Sequence, residues 1–397
     1  MARIGIYGGS FNPPHRGHML AARECCARLA LDRLILMPDA VPPHKTLPDG
    51  SPDAQTRLEL VRLAARDVPR AEVSDIELRR EGRSYTVDTM RQLHAQYPDD
   101  ELLLLMGTDM YLSFDIWRGP DEISRMASVV CMYRTGTDEA LLRQLREKQA
   151  QLSSRFGTRT VFAENEALDI SSTQVRRMLF FGCAEEFLQP QVLEKIRESG
   201  LYGVNDGYAG RDFETLKQKS LTLHKPKRVR HAVGCSETAA ELAARFGADT
   251  AAAARAGILH DVTKALTDGE QRMLCRHAGL VLTPDEETIP SLLHAKTGAW
   301  AAEQIFGETP EICSAIRWHT TGKADMTELE KIVYLADMIE PTREYDGVEQ
   351  IRAAAQRDLD EAVLLALERT ISYLRERGFA VCGASVQARD FLLGERN

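Results

Sequence analysis

The sequence predicts a chain of two domains, a doubly wound (Rossmann-like) α/β parallel-sheet domain followed by an all-α domain. Three observations support this prediction. The 397 residues exceed the roughly 100–200 residues of an ordinary domain. The first half alternates short β-rich runs with helical patterns, which is typical of parallel strands joined by crossover helices. From Phe213 onward, almost no strand pattern remains.

The predicted elements place the domain boundary near residue 205. The segment VNDGYAG, residues 204–210, is rich in turn-forming residues, so the chain divides into residues 1–204 and 205–397. The predicted strands are Arg3–Tyr7, Arg33–Pro38, Arg70–Ser74, Glu101–Met106, Ser128–Tyr133 and Thr160–Phe162. The predicted helices of the first domain are Met19–Leu29, Ala54–Ala65, Ser84–Gln96, Glu139–Gln151 and Ser172–Phe181. Those of the second are Ala232–Phe246, Thr250–His260, Asp268–His277, His294–Phe306, Pro310–His319, Glu328–Ile339, Val348–Gln356 and Leu359–Arg377.

The composition excludes several classes of protein. The chain is 44% apolar and 27% charged, as globular proteins are, and no apolar run approaches the ~20 residues of a membrane-spanning helix. A formal net charge of −9 disfavours broad binding to nucleic acid, which is itself a polyanion. The eight cysteines show no Cys-x-x-Cys spacing, and the first residues show no export signal. We therefore expect a cytoplasmic protein that binds neither nucleic acid nor membrane.

A stretch rich in glycine, proline and histidine follows the first predicted strand. It is GIYGGSFNPPHRGH, from Gly5 to His18. The bare backbone of Gly8-Gly9 lets a phosphate approach the turn and the helix start behind it. His15 and His18 project from one side of the first helical turn and reach the same group of oxygens. Such donors suit the attack of one phosphate on the α-phosphorus of a nucleotide, although a lone pair fits exposed surface histidines equally well.

A second stretch favours the nucleotide interpretation. ISSTQVRR, Ile170 to Arg177, is a Ser/Thr-rich helix cap followed by two arginines. It offers hydroxyls, backbone amides and guanidinium donors to a triphosphate. Two separate phosphate-binding elements in one α/β domain indicate a site rather than surface decoration.

Together, GGSFNPPHRGH and ISSTQVRR resemble the signature motifs of the nucleotidylyltransferase superfamily, and residues 1–203 resemble the bacterial nicotinate-nucleotide adenylyltransferases. The resemblance implies adenylyl transfer from ATP to nicotinate mononucleotide, giving deamido-NAD and pyrophosphate, with Mg²⁺ as the cofactor. It implies catalytic roles for His15, His18, Lys45 and Arg176. The ATP-binding residues that it implies are Gly8, Gly9, Ser10, Phe11, His15, His18, Gly107, Asp109, Ser172, Thr173 and Arg176.

Three further segments carry the resemblance to the nicotinate branch. PPHK ends at Lys45, SYTVDT contains Tyr85 and Thr86, and DIWRGP contains Trp117. By this resemblance Tyr85 and Thr86 receive the pyridine carboxylate, and Trp117 stacks on the ring. A helix start does hold carboxylates well, and an aromatic face suits a flat, electron-poor ring. Nicotinamide mononucleotide stays open as the acceptor, as do pantetheine phosphate and glycerol phosphate.

The helical half contains a histidine and an aspartate side by side. His260 and Asp261 in ILHDVTK diverge by about 100° on a helix, but a metal close to the helix end accepts both. Helical bundles build metal sites from inward-facing groups on different helices, and a mixed His/Asp set suits iron, manganese or magnesium. The other candidate ligands, each in a separate predicted helix, are His231, His294, His319 and Asp337.

The order of these residues resembles the ligand pattern of the HD phosphohydrolase superfamily, with His294 and His319 as the pair that binds a second metal. LHDVTK, LLHAKTGA, WHTTG and YLADMIEPTREYDGVEQIR, within residues 213–395, resemble the bacterial HD hydrolases that cut diadenosine tetraphosphate symmetrically to two ADP. The resemblance implies two divalent metals, with iron the expected ion, and a catalytic Asp261 that also orients the attacking water. The implied polyphosphate contacts are Lys264, Lys296 and Arg343.

The sequence therefore predicts a bifunctional cytoplasmic enzyme, with ATP, nicotinate mononucleotide and diadenosine tetraphosphate as its partners and a homo-oligomer left open. Two alternatives for the helical half stay open. In the first alternative, the helical half is a phosphodiesterase of other nucleotides. In the second, it is a nucleotide-sensing module without catalysis.

Overall fold

Six parallel strands form the centre of the amino-terminal half. The structure is a computed structural model that describes residues 1–42, 46–166 and 170–394, and the chain divides into two units, Met1–Asn205 and Asp206–Asn397. The strands are β1 (Arg3–Gly9), β2 (Arg33–Pro38), β3 (Ala71–Val73), β4 (Glu101–Gly107), β5 (Ser128–Arg134) and β6 (Thr160–Asn165). Their order in the sheet is β3-β2-β1-β4-β5-β6, and every neighbouring pair is parallel.

The strand order reverses direction between β1 and β4, which pair directly through Ile6 and Leu104. In doubly wound sheets the crevice outside the carboxyl ends of two such strands is where ligands bind. Gly8 and Gly9 end β1, and Gly107 ends β4. The sheet therefore brings the predicted glycines to its topological switch point.

The helices of this unit cover the sheet. They are α1 (Arg16–Arg28), α2 (Ala54–Ala64), α3 (Thr86–Gln96), α4 (Thr108–Leu112), α5 (Pro120–Met126), α6 (Glu139–Phe156), α7 (Ser172–Phe180) and α8 (Pro190–Glu198). All six predicted strands and all five predicted helices are present, with ends that differ by a few residues. The predicted α/β class is confirmed.

The carboxy-terminal unit is helical, as predicted, and its described residues contain no strand. Its helices are α9 (Phe213–Leu223), α10 (Pro226–Phe246), α11 (Thr250–Leu259), α12 (Asp268–His277), α13 (Pro284–Thr288), α14 (Leu293–Gln304), α15 (Pro310–Trp318), α16 (Glu328–Ile339), α17 (Val348–Ala355), α18 (Leu359–Glu376) and α19 (Gly383–Gly394). Within the described part of the chain, no helix combines the length and apolar character needed to cross a bilayer.

Six helices were not predicted. α4, α5 and α13 have five, seven and five residues, so they are too short to show a helical period. α8 and α9 flank the predicted domain boundary near residue 205, and α19 follows the last predicted helix.

Close packing of α10 against α11 positions two candidate ligands. A Cβ on Gly257 of α11 would lie 2.7 Å from the Cα of Ser236 and 3.0 Å from the carbonyl oxygen of Cys235, both in α10. Only glycine permits that approach. It brings His231 in α10 together with His260, the C-cap residue that follows α11.

Gly257→Ala is expected to lower the free energy of unfolding of the carboxy-terminal unit by about 1–3 kcal/mol, because the added methyl group overlaps the α10 backbone. Denaturant unfolding of the full chain, followed by circular dichroism, measures this change. Gly269→Ala in α12 is the matched control, since no described atom other than its neighbours lies within 4 Å of its Cβ. A Gly257→Ala protein as stable as the wild type would contradict the close packing.

Candidate functional site

His15 and His18 cap the first helix in a reciprocal arrangement. The Nδ1 of His15 accepts from the backbone N–H of His18 at 3.4 Å, and the Nδ1 of His18 accepts from the N–H of His15 at 3.2 Å. The two rings stack with centroids 3.6 Å apart. Because each Nδ1 accepts a hydrogen bond, the neutral rings carry their protons on Nε2. Burial, and then the neighbouring His18, hold the pKa of His15 well below its usual value, so its ring is a neutral Nε2–H donor.

The second predicted phosphate element docks on the same loop. Ser172 at the start of α7 donates from Oγ to the carbonyl of Pro13 at 3.1 Å. Arg176, one turn later, donates from Nη1 to the carbonyl of Asn12 at 2.6 Å and from Nη2 to Oγ1 of Thr173 at 3.2 Å. Ser172, Thr173 and Arg176 therefore lie beside the loop that leads into the two histidines.

A buried arginine that the sequence analysis missed holds this loop in place. Arg57 of α2 is 1% exposed and donates from Nη1 to the carbonyl of Ser10 at 2.7 Å. It also pairs with the carboxylate of Asp39 at 3.0 Å and donates from Nη2 to the carbonyls of Asp39 and Ala40 at 2.8 and 3.1 Å. Arg57 thus joins the loop after β1 to the loop after β2. In the sequence it resembled an ordinary charged position of an amphipathic helix.

The residues predicted for the pyridine ring gather at the start of α3. Tyr85 is the N-cap residue and supplies no side-chain cap, and Thr86 is the first helical residue. The guanidinium of Arg118 lies 4.7 Å from the centroid of the Tyr85 ring. Gly119 has a φ of 65°, and a Cβ there would lie 3.1 Å from a valine methyl in the first turn of α3. Trp117 therefore lies on a segment packed against the uncapped helix start.

Two further predicted ATP contacts lie near the switch point, whereas the predicted catalytic residue Lys45 cannot be placed. Phe11 is buried, with its ring 5.1 Å from that of His18. Asp109 is exposed in the first turn of α4, just after Gly107. Lys45 lies outside the described residues, so its predicted role stays a prediction.

In the second unit, four side chains from α10, α16 and the turn after α11 converge as the first of two clusters. Nε2 of His231 lies 3.2 Å from Nε2 of His260 and 3.1 Å from Oδ1 of Asp337. Oδ2 of Asp261 lies 3.5 Å from Nε2 of His260 and 3.8 Å from Nε2 of His231. Two nitrogens and two carboxylate oxygens thus face one point.

The other oxygen of Asp261 faces a second cluster. Its Oδ1 lies 3.3 Å from Nε2 of His294 and 3.7 Å from Nε2 of His319. The two Nε2 atoms of this pair are 3.1 Å apart. All six predicted ligands are therefore brought together, with Asp261 between the two histidine pairs.

In each of the four histidines of the two clusters, Nδ1 lies beside a hydrogen-bond acceptor. The Nδ1 atoms of His260, His294 and His319 lie 2.7, 2.6 and 2.7 Å from the backbone carbonyl three residues earlier. Nδ1 of His231 lies 3.0 Å from Oε1 of Glu340, which the sequence analysis also missed. Since a carbonyl or carboxylate only accepts, Nδ1 carries the proton and Nε2 presents a lone pair.

Lone pairs facing each other at 3.1–3.2 Å repel unless a cation lies between them. Two ligands at about 2.1 Å from one ion are themselves about 3.0–3.4 Å apart, which matches these separations. The donor set therefore fits two divalent metals that share Asp261.

The pKa values in the centre favour the ligand forms. Burial, and then the neighbouring His319, hold the pKa of His260 well below its usual value. Burial lowers the pKa of His319 to about 4 and also holds that of His294 well below its usual value. For Asp337 burial favours the acid form, but the contact with His231 and the positive charge of Arg343 outweigh it and hold its pKa well below the usual range. Neutral imidazoles and an ionised carboxylate are the forms that bind metals.

Cationic side chains surround the two clusters. Arg228 contacts the Asp261 carboxylate, Arg343 contacts that of Asp337, and Nζ of Lys264 lies 3.0 and 3.1 Å from the ring nitrogens of His294. Arg343 and Lys264 were predicted as polyphosphate contacts, whereas Arg228 was not among the predicted site residues.

The third predicted polyphosphate contact, Lys296, is held away from the centre. Its Nζ pairs with Glu286 at 2.6 Å, and the same carboxylate pairs with Arg317 at 2.5 Å. The structure therefore does not bring Lys296 to the other predicted contacts.

Comparisons with known proteins divide along the same two units. Residues 6–178 match the cytidylyltransferase-like family model, and residues 228–342 match the HD domain model. A probable nicotinate-nucleotide adenylyltransferase of Shouchella clausii (strain KSM-K16) is 36% identical over 207 residues, covering 52% of this chain and 100% of the relative. One of Geobacter metallireducens is 35% identical over 215 residues, covering 50% and 98%. Among solved structures, the chain is similar to the crystal structure of a predicted HD superfamily hydrolase involved in NAD metabolism from Clostridium acetobutylicum. The two sequences are 32% identical, the TM-score is 0.45, and the match covers 47% of this chain and 98% of that chain.

Asp261→Asn is expected to lower the binding of both metal ions, because a neutral amide cannot bridge two cations as a carboxylate does. Asp337→Asn is expected to weaken only the cluster of His231 and His260. Metal content after reconstitution with Mn²⁺ and desalting measures both effects. Asp268→Asn, at the start of α12, is the control and should match the wild type. Full metal content in Asp261→Asn would contradict the shared carboxylate.

Proposed function

We propose that the amino-terminal half transfers the adenylyl group of ATP to nicotinate mononucleotide, giving deamido-NAD and pyrophosphate. Through this half the chain belongs to the nicotinate-nucleotide adenylyltransferase family. The observation that carries the proposal is the docking of α7 on the histidine loop, through Ser172 and Arg176. Two sets of phosphate-binding groups thereby face one crevice at the switch point of the sheet.

In this proposal the acceptor phosphate attacks the α-phosphorus of ATP, and pyrophosphate leaves. His15 and His18 direct their Nε2–H groups to the transferring phosphoryl group, where they stabilise the developing negative charge. Ser172, Thr173 and Arg176 hold the β- and γ-phosphates, and Mg²⁺, when bound, adds charge neutralisation. Lys45 is proposed to contribute a further positive charge.

The acceptor is proposed to bind at the start of α3. Tyr85 leaves that helix without a side-chain cap, so its first N–H groups and its positive dipole end favour a carboxylate. Trp117 offers an aromatic face on the neighbouring segment. The charge of the helix start favours nicotinate over nicotinamide mononucleotide, which stays the alternative acceptor.

For the helical half we propose symmetrical hydrolysis of diadenosine tetraphosphate to two ADP at the centre of six ligands. Two divalent metals, with iron the expected ion, would neutralise phosphate charge and activate water. Arg228 and Arg343 lie beside the cluster of His231 and His260, whereas Lys264 lies beside His294. Positive charge on both sides of Asp261 favours a substrate with phosphates on both sides of the cleaved bond.

Two other functions of the helical half are distinguishable. A phosphodiesterase of other nucleotides would use the same centre with a different substrate preference, and a nucleotide-sensing module would bind without turnover. The convergence of six ligands in one centre supports catalysis over sensing. All eight cysteines are free thiols, which supports the proposed cytoplasmic location of both activities.

His18→Ala is expected to lower kcat for deamido-NAD formation by about 10²–10³, because it removes one donor to the reacting phosphoryl group. The KM for ATP should change far less. Steady-state kinetics with ATP and nicotinate mononucleotide test this, with the exposed His94→Ala as control. A wild-type enzyme that prefers nicotinamide mononucleotide would contradict the assigned acceptor.

The full chain is expected to convert diadenosine tetraphosphate into ADP alone, and His260→Ala should abolish this because the ring is a ligand in the first cluster. Chromatography of the products against a panel of nucleotides measures it. His18→Ala serves as the control and should hydrolyse at the wild-type rate. Formation of ATP and AMP, or faster turnover of another nucleotide, would contradict the proposed reaction.

A further inference from the structure

The hydroxyl of Thr320 lies inside the second cluster. Its Oγ1 is 3.1 Å from Nε2 of His319 and 3.3 Å from Nε2 of His294, and those two nitrogens are 3.1 Å apart. The three atoms form a nearly equilateral triangle. Thr320 was not among the residues that the sequence singled out.

Two arrangements can satisfy the nitrogens of this triangle. The Nδ1 protons of His294 and His319 go to the carbonyls of Ser291 and Ile316, so both Nε2 atoms present lone pairs. Without a metal, the threonine hydroxyl can donate its one proton to one of them, and the Lys264 ammonium, 3.1 Å from Nε2 of His294, can donate to the other. A divalent cation that accepts a lone pair from each of the three atoms satisfies all of them at once.

The separations are those of neighbouring metal ligands. Ligands at about 2.1 Å from an octahedral ion lie about 3.0 Å apart, and from a tetrahedral ion about 3.4 Å apart. The three edges of the triangle, at 3.1, 3.1 and 3.3 Å, fall in this range. Oδ1 of Asp261, at 3.3 Å from Nε2 of His294 and 3.7 Å from that of His319, is a further donor beside the triangle.

We propose that Thr320 Oγ1 is the fourth protein ligand of the second metal, a role that rests on the proposed two-metal centre. Each metal then has two imidazoles, one oxygen of Asp261 and one further oxygen. At the first metal that further oxygen is the ionised carboxylate of Asp337, and at the second it is the neutral hydroxyl. The second position therefore carries less negative charge and binds its ion more weakly than the first.

The turn after α15 selects Thr320 and not its neighbour. Thr321 donates its hydroxyl to the carbonyl of Gly322 at 2.9 Å, and the N–H of Gly322 donates to the carbonyl of Trp318 at 2.8 Å. These bonds direct the two threonine hydroxyls to different groups. Thr321 is thus a matched control one residue away.

Lys264 also lies beside His294, and its expected effect on the second metal has the opposite sign. Its ammonium lies 3.0 and 3.1 Å from the ring nitrogens, and a protonated amine repels a metal ion. Removing its charge should strengthen metal binding, whereas removing the Thr320 hydroxyl should weaken it.

The test is a calorimetric titration of the metal-free full chain with Mn²⁺ alone, compared among variants. The wild type should bind two ions of unequal affinity. Thr320→Val, which keeps the shape but removes the oxygen, should bind the weaker ion about tenfold or more less tightly and leave the tighter ion unchanged. Thr320→Ser and Thr321→Val should match the wild type, and Lys264→Met should tighten the weaker ion.

Three results would overturn the proposal. They are wild-type binding of both ions by Thr320→Val, equal loss of both ions in that variant, and loss of the weaker ion in Thr320→Ser, which retains the hydroxyl. Equal thermal unfolding of the metal-free variants excludes misfolding as the cause. If the wild type itself binds no Mn²⁺, the two-metal centre fails together with this inference, whatever the variants do.

Discussion

The arrangement of the carboxy-terminal unit depends on one buried carboxylate with histidine pairs on both sides. Oδ2 of Asp261 faces His231 and His260, and Oδ1 faces His294 and His319. Four imidazole lone pairs and two carboxylates crowded in the interior are costly unless cations compensate them. Two features hold these donors in place. Gly257 lets α11 approach α10, and a hydrogen-bond acceptor fixes the Nδ1 of each histidine.

In the amino-terminal unit, the main structural requirement of the proposed reaction is the placement of hydrogen-bond donors. Its proposed reaction requires donors fixed around a triphosphate, and the reciprocal cap of His15 and His18 fixes both ring protons on Nε2. Arg57 donates to the carbonyl of Ser10 in this loop, and Arg176 donates to the carbonyl of Asn12. The carbonyls of Ser10 and Asn12 accept from these guanidinium groups, so the loop that follows Gly9 at the end of β1 is held at two points.

The fold class could be predicted from local pattern, because strands buried on both faces appear as apolar runs. The six candidate metal ligands were predicted from the resemblance of their order along the chain to a known motif, and the structure brings their side chains together. Arg57, Glu340 and Thr320 escaped prediction because their roles come from contacts with residues far apart in the chain. Lys296 was predicted as a polyphosphate contact, but in the structure it pairs with Glu286, and the sequence alone does not reveal this pairing.

Electron paramagnetic resonance of the full chain loaded with Mn²⁺ tests most directly whether one carboxylate joins two metal positions. Ions that share Asp261 would lie a few ångströms apart, so we expect the multiline spectrum of a spin-coupled Mn²⁺ pair at full loading. A spectrum of isolated Mn²⁺ ions at the same loading would contradict it.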